Sequence, residues 1–250
     1  MALAVDVRRA LPWILLAVPL CVASGVALAA GGSVAVGRTN GGSLRNGADV
    51  LAGDAPVELL PRCRKRGLHW ATDELTGALH RAARRVTAAH PGSVLALGNL
   101  SAPRGGPISF SVSHQNGLDA DLAPYMRDAS GRPVPAPDYL HFGADLRSRE
   151  HGGSYRFDVS RTWDLVAALL SDDRISVQWL FVSSPIRAAL LTHGRKVGAP
   201  SVVMDRAARV LHQPSDAPPH DDHLHLRIYC PAEDRRIGCV DRGPTWPWLR

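Results

Sequence analysis

The sequence predicts an α+β fold, namely a single domain with a central antiparallel sheet flanked by helices. Predicted strands and helices are intermixed, but the strands come in closely spaced pairs that can form hairpins, which favours antiparallel pairing. Hydrophobic residues make up 45% and charged residues 21% of the 250 residues, as in ordinary soluble domains. A chain of this length is sufficient for one sizeable core.

The N-terminal segment, residues 1–29, differs in kind from the rest. Arg8 and Arg9 precede an apolar run over residues 10–26, which ends on Ala27-Leu28-Ala29, the small-x-small pattern that a signal peptidase accepts. We predict a signal peptide over 1–29 and therefore an exported protein of the periplasm, cell envelope or extracellular space. The alternative is a retained membrane anchor, because the apolar run approaches the length that spans a bilayer.

The helices and strands after the N-terminal segment are predicted from helix caps with helical periodicity and from short apolar runs. Residues 30–56 are rich in Gly, Ala and Ser without periodicity, which predicts a flexible linker ahead of a folded domain over 57–250. Helices are expected after the N-cap Thr72, after Ser160, after Ser184-Pro185, and in a segment ending near Leu211. Short apolar runs predict strands over 94–97, 108–112, 118–122, 177–182 and 224–228.

The net charge and the cysteines indicate in which environment the protein works and which partners it can have. The formal net charge is +6, and outside the cytoplasm the expected anionic partner is the cell envelope. The sequence has none of the helix-turn-helix, RNA-binding or zinc-finger patterns that indicate nucleic acid, and after leader cleavage we expect no stable membrane insertion. In an oxidising compartment Cys230 and Cys239 could close a local disulfide. Cys63 is then left over, either free or competing for one of these partners.

A histidine-rich segment runs over His220-Asp221-Asp222-His223-Leu224-His225. On the strand predicted over 224–228, His223, His225 and Arg227 share one face while Leu224, Leu226 and Ile228 point into the core. Two imidazoles on one rigid element suit a metal such as zinc, although a His-x-His pair alone is incomplete coordination. The alternative interpretation is an exposed polar strand face.

A second group of polar residues lies upstream, in Ser113-His114-Gln115-Asn116-Gly117-Leu118-Asp119-Ala120-Asp121. His114 precedes a turn, and Asp119 and Asp121 share one face of the strand that follows. Together with one downstream histidine, His114 and Asp121 give three nitrogen and oxygen ligands, the number found in catalytic zinc sites. We expect Asp119 to orient His114 or a neighbouring backbone amide.

These two segments together resemble a known family. LGNLSAPRGGPISFSVSHQNGLDADL, over residues 97–122, and HDDHLHLRIYC, over residues 220–230, are similar to the penicillin-insensitive murein endopeptidases, zinc peptidases related to D-Ala-D-Ala dipeptidases, lysostaphin-type endopeptidases and the Hedgehog domain. By this resemblance one zinc ion is held by His114, Asp121 and His225. His220 is then the general base and His223 stabilises the oxyanion, unless the two exchange roles.

The resemblance implies hydrolysis of D-Ala–meso-diaminopimelate cross-bridges of peptidoglycan. It departs from the family at Ser111, where a further histidine is typical, and this limits the expectation to one zinc. One alternative is a D,D- or L,D-carboxypeptidase or dipeptidase of the same zinc group, which needs a cation for the free carboxylate, with Arg104 and Arg187 available. Others are a non-catalytic zinc module and an envelope-binding protein. The presence of both His220 and His223 favours the enzyme.

Overall fold

Short strands and longer helices follow one another along the chain in the structure, a computed structural model that describes residues 31–249. The helices are α1 Asp73–Ala89, α2 Val159–Ser171, α3 Ser184–Lys196, α4 Ser201–Val210 and α5 Ala232–Arg236. The strands are β1 Val34–Arg38, β2 Gly41–Arg45, β3 Ala48–Asp49, β4 Val57–Leu59, β5 Trp70–Ala71, β6 Leu95–Leu97, β7 Asp119–Leu122, β8 Met126–Arg127, β9 Pro133–Val134, β10 Arg156–Phe157, β11 Val177–Phe181, β12 Leu211–His212 and β13 Leu224–Ile228.

A six-stranded sheet in the order β12-β11-β13-β7-β6-β4 forms the centre. The α+β class is confirmed, but the sheet is mixed rather than purely antiparallel. The pairs β11–β13, β13–β7 and β7–β6 are antiparallel, whereas the outer pairs β4–β6 and β11–β12 are parallel. The parallel pairs arise because α1 lies between β4 and β6, and α3 and α4 lie between β11 and β12. Each such connection returns the chain in its original direction.

The two faces of the central sheet have different environments. Leu180, Leu224 and Leu226 are buried in the same core as apolar residues of α1 and α2. The alternate positions carry Phe181, His225 and Arg227, as expected for the side-chain period of a strand. The polar side chains are thereby collected on the face away from the core.

The helix boundaries agree closely with the sequence pattern. Helix α1 begins after Thr72, whose Oγ1 accepts a hydrogen bond from the backbone N–H of Leu75 at 3.3 Å. Helix α2 begins earlier than expected, since its N-cap is Asp158 rather than Ser160. The Asp158 carboxylate accepts from both the backbone N–H and the Nε of Arg161, and it therefore satisfies a free backbone donor of the first turn.

The expectation of a flexible linker over 30–56 is wrong for residues 34–49. Strands β1 and β2 form a hairpin, and Ala35 and Leu44 are buried. The hairpin is held by residues far along the chain, because the backbone N–H of Ala35 donates to Asp234 Oδ2 at 2.8 Å and that of Gly37 donates to the carbonyl of Gly238 at 2.9 Å. A low-periodicity segment thus becomes ordered through contacts with the C-terminal region.

The predicted strand over 108–112 is also wrong. This segment is a tight turn closed by a single bridge between Ile108 and Ser111, and Phe110 and Val112 are 53% and 80% exposed. Gly105 and Gly106 both have positive φ, so the chain changes direction before the apolar run can join a sheet.

The cysteines pair as expected, with a Cys230–Cys239 disulfide and a free, buried Cys63. Among residues 31–249, no helix is long and apolar enough to cross a membrane. The predicted signal peptide over 1–29 lies outside the described residues and stays a prediction.

Candidate metal centre

Two neighbouring strands place one half of the centre. Strands β7 and β13 are antiparallel, with His225 opposite Asp121 and Arg227 opposite Asp119. Side chains of directly opposed residues point to the same face and lie within contact distance. The strand register therefore brings His225 to Asp121 although they are 104 positions apart in the sequence.

A strained turn supplies His114. Its φ is +63°, in the left-handed region that non-glycine residues seldom occupy and that tends to mark functional sites. The Asp119 carboxylate accepts from the backbone N–H of His114 at 3.4 Å, and the Ser101 hydroxyl accepts from the N–H of Gly117 at 2.9 Å. These bonds hold the turn so that His114 faces strand β7.

Three imidazoles converge on a single oxygen of Asp121. His114 Nε2 lies 3.2 Å from Asp121 Oδ1, and both His223 Nε2 and His225 Nδ1 lie 3.3 Å from it. Within the described part of the chain this buried oxygen nevertheless has no partner in hydrogen-bond geometry. An unsatisfied buried oxygen surrounded by ring nitrogens is costly in a protein, and a bound cation would satisfy all of them.

The ligand atoms of His114, Asp121 and His225 lie within 4.8 Å of one another, as do those of His220, His223 and His225. Each group could hold a metal ion. The three residues expected as ligands and the two expected as catalytic groups are therefore brought together in one place.

Asp119 lies behind the candidate ligands and contacts two of them. His225 Nε2 lies 2.9 Å from Asp119 Oδ1, which also accepts from Arg227 Nε at 2.7 Å. This leaves His225 Nδ1 facing Asp121. Asp119 thus contacts both His225 and the His114 backbone, a carboxylate–imidazole arrangement of the kind that fixes ring orientation in metal sites.

The second oxygen of Asp121 has partners that the sequence reasoning missed. Asn99 Nδ2 donates to Oδ2 at 3.0 Å, and the Tyr139 hydroxyl donates to it at 3.1 Å. Gly98 allows this arrangement, because a Cβ at Gly98 would lie 1.8 Å from the Tyr139 oxygen. Only the position of Gly98-Asn99 directly after strand β6 could have suggested a role, and nothing local indicates Tyr139.

His220 and His223 lie beside the candidate ligands in different environments. His223 Nδ1 lies 2.7 Å from Asp222 Oδ1. The His220 ring is 4.9 Å from that of His223 and 5.8 Å from that of Phe181, and His220 Nδ1 is buried without a partner among the described residues. One histidine is thus held by a carboxylate and the other has a free ring nitrogen.

Burial and neighbouring charges shift the pKa values of the carboxylates downward. Burial raises the pKa of Asp121, but the charges of His114 and His223 outweigh it and keep that pKa well below the usual range. For Asp119, Arg227 and His225 likewise overcome burial and lower the pKa. Both groups are therefore ionised and able to accept cations.

The two histidines shift in opposite directions. Burial together with the charges of His223 and His225 lowers the pKa of His220 to about 4. Burial also disfavours the charged form of His223, but Asp121 and Asp222 outweigh it and raise its pKa to about 10. At neutral pH His220 is neutral, while His223 carries a proton shared with its carboxylate partners.

Other candidates from the sequence lie in structural contacts. Arg187 donates to the carbonyls of Leu211 and Ala208 at the end of α4, so it stabilises that helix end. Ser111, where the family typically has a histidine, bonds to the Ser113 hydroxyl at 3.1 Å. His141, Asp221 and Asp222 form a third group that could hold a metal ion. In this group Asp221 is paired with Arg149 at 3.0 Å.

The fold and the site together define an α+β protein whose central sheet carries a histidine and aspartate cluster able to hold a metal ion. The family model of the penicillin-insensitive murein endopeptidases matches residues 35–246. The chain belongs to this family of peptidoglycan peptidases, which confirms the resemblance based on two short motifs and extends it to the β1–β2 hairpin. No curated protein sequence matches the chain.

Proposed function

We propose that this protein is a zinc-dependent endopeptidase that hydrolyses D-Ala–meso-diaminopimelate cross-bridges of peptidoglycan. The observation that carries the proposal is the convergence of His114, His223 and His225 on the unbonded Oδ1 of Asp121, in a chain of the murein endopeptidase family. The predicted signal peptide over 1–29 supports an exported location, where peptidoglycan lies.

The donor atoms fit a single zinc ion. His114 Nε2, Asp121 Oδ1 and His225 Nδ1 are two imidazole nitrogens and one carboxylate oxygen, a set that zinc accepts in catalytic sites. When bound, zinc supplies Lewis acidity toward a peptide carbonyl and lowers the pKa of water in its coordination sphere. Because His225 must present an unprotonated Nδ1, the Asp119 contact to its Nε2 selects the tautomer that can act as a ligand.

His220 and His223 take different roles in the proposed reaction. His220 is neutral at neutral pH and has a free ring nitrogen, so it accepts a proton from the attacking water. Asp121 and Asp222 both favour the protonated form of His223. A protonated imidazole beside Asp121 donates a hydrogen bond to the oxyanion that develops on the carbonyl, which stabilises the transition state.

Digestion of purified cross-linked muropeptide dimers tests the proposal. Wild-type protein should release monomers, and this release should stop after chelation and resume after zinc is restored. His114→Ala should lose both bound zinc and activity, because it removes a ligand. His220→Ala should keep its zinc and lose activity by about 100- to 10,000-fold, the contribution of a general base.

The control for these variants is His193→Ala, which changes a histidine of helix α3 outside the cluster. It should retain zinc and activity. Release of terminal D-alanine in place of monomers would contradict the endopeptidase assignment in favour of a carboxypeptidase. A metal-free wild-type protein whose activity does not respond to chelator would contradict the zinc site.

A further inference from the structure

Arg66 is connected to the candidate metal centre through one intervening residue, Asn99. Its Nη1 donates to Asn99 Oδ1 at 2.8 Å, and the same Asn99 donates from Nδ2 to Asp121 Oδ2 at 3.0 Å. The backbone N–H of Arg66 donates to the Cys63 carbonyl at 3.0 Å. The guanidinium is therefore placed next to the metal-binding carboxylate by a fixed chain of hydrogen bonds.

The exposed aromatic ring of Phe110 supports the same guanidinium. The Arg66 Cζ lies 4.5 Å from the ring centroid, within the distance of a cation–π interaction, and Phe110 is 53% exposed. Phe110 belongs to the turn that leads directly into His114. Its exposure has no explanation in core packing, but it gives the arginine a flat support at the rim of the site.

The charge of Arg66 is not balanced by an acidic side chain within the described range. The two other arginines of the same loop are paired, Arg62 with Asp138 at 2.9 Å and Arg64 with Glu58 at 3.8 Å, whereas Arg66 and the exposed Lys65 have no acidic partner within 4.0 Å among the described residues. The described contacts of the Arg66 guanidinium are with Asn99, Cys63 and Phe110, which are all neutral. Orienting Asn99 requires one N–H, whereas a guanidinium has five.

We propose that Arg66 binds the carboxylate that flanks the scissile bond of the substrate, and so determines its specificity. This inference rests on the proposed function. In the cross-bridge, diaminopimelate carries a free carboxyl on the same carbon as the nitrogen that D-alanine acylates. The carboxylate thus lies two bonds from the nitrogen of the scissile amide. A planar guanidinium beside the metal centre matches such a group in charge and in bidentate geometry.

A pair of substrates distinguishes this role from a structural one. The first is the natural dimer, and the second is the same dimer with that one carboxyl converted to a carboxamide. Wild type should lose about 10- to 100-fold in kcat/KM on the carboxamide, the size of a hydrogen-bonded charge pair. Arg66→Gln should lose a similar factor on the natural dimer and show no further loss on the carboxamide.

Equilibrium binding gives a second readout that does not depend on turnover. Chelator-treated protein should bind the natural dimer more tightly than the carboxamide dimer, and Arg66→Gln should remove the difference. Arg64→Gln is the matched control, because it removes a charge from the same loop and should retain wild-type discrimination. Before chelation, bound zinc should be the same in wild type, Arg66→Gln and Arg64→Gln.

The outcomes are separable. If wild type cleaves the natural dimer but Arg66→Gln still discriminates between the two substrates as wild type does, the Arg66 inference is wrong and the proposed function stands. Equal losses on both substrates, with less bound zinc, would assign Arg66 only to positioning Asn99 and overturn the inference. If wild type cleaves neither dimer with zinc present, the proposed function itself fails.

Discussion

The two halves of the candidate metal centre are held by different kinds of structure. Asp121 and His225 are cross-strand neighbours on β7 and β13, and their positions follow from sheet register alone. His114 lies in a turn with positive φ, and His223 lies just before β13 begins. The first half is built from regular backbone pairing, whereas the second depends on individual contacts of loops.

Those loop contacts extend to both ends of the described chain. The backbone N–H of Gln115, next to His114, donates to the carbonyl of Thr39 in the β1–β2 turn at 3.2 Å. The hairpin in turn bonds to Asp234 and Gly238, within the loop that the Cys230–Cys239 disulfide closes. The difference teaches that a ligand on a strand is secured by its sheet, while a ligand on a turn depends on remote segments.

The largest effect is expected at the residue where the halves meet. Asp121→Ala removes the oxygen on which His114, His223 and His225 converge. Zinc affinity and activity should fall by more than the roughly 100-fold that changes outside the ligand set cost. Zinc content after dialysis checks this, and stoichiometric zinc in the variant would show that Asp121 is not a ligand.

A smaller effect is expected when the support of the strand half is weakened. Asp119→Asn keeps the shape but loses the charge that Arg227 and His225 contact. We expect zinc affinity to fall by about 10- to 100-fold, measured by competition with a chelator of known affinity. Asp128→Asn, in the turn after β8, serves as the control, and equal losses in the two variants would contradict a specific role of Asp119.

The smallest effect on the metal is expected from the disulfide. The double variant Cys230→Ser, Cys239→Ser should lower the free energy of unfolding by about 2–3 kcal/mol, as the loss of a short cross-linked loop predicts. Zinc affinity of the folded protein should change only a few-fold, since the register of β7 with β13 is unaffected. Denaturant unfolding and chelator competition measure the two quantities, and a zinc loss as large as that of Asp119→Asn would show that the halves are not independent.

Local periodicity was sufficient to predict the strands that carry Asp121 and His225. Leu224 to Ile228 alternates cleanly, so both the strand and the face that carries His225 and Arg227 could be predicted. The spacing of Asp119 and Asp121 was equally informative. The pairing of strand β7 with strand β13 could not be predicted, because register between distant strands leaves no local signal. Only the family resemblance implied that Asp121 and His225 share one site.

The turn that carries His114 and the loops that hold it were less predictable, for physical reasons. Residues 34–49 have no periodicity, and they fold because their backbone groups bond to distant partners. The apolar run around Phe110 is exposed because glycines turn the chain beforehand. Arg66, Asn99 and Tyr139 matter through side-chain contacts between separate loops, which a single sequence does not encode in any short pattern.

The contact between Ala35 and Asp234 spans 199 positions of the chain. The ribosome makes the chain from its N-terminus, so β1 has no docking site until almost the entire domain has been synthesised. Contacts of such long sequence separation slow folding because a large loop must close before they form. The docking of the hairpin beside His114 onto its C-terminal partners therefore has to wait until residues 234–238 have been synthesised.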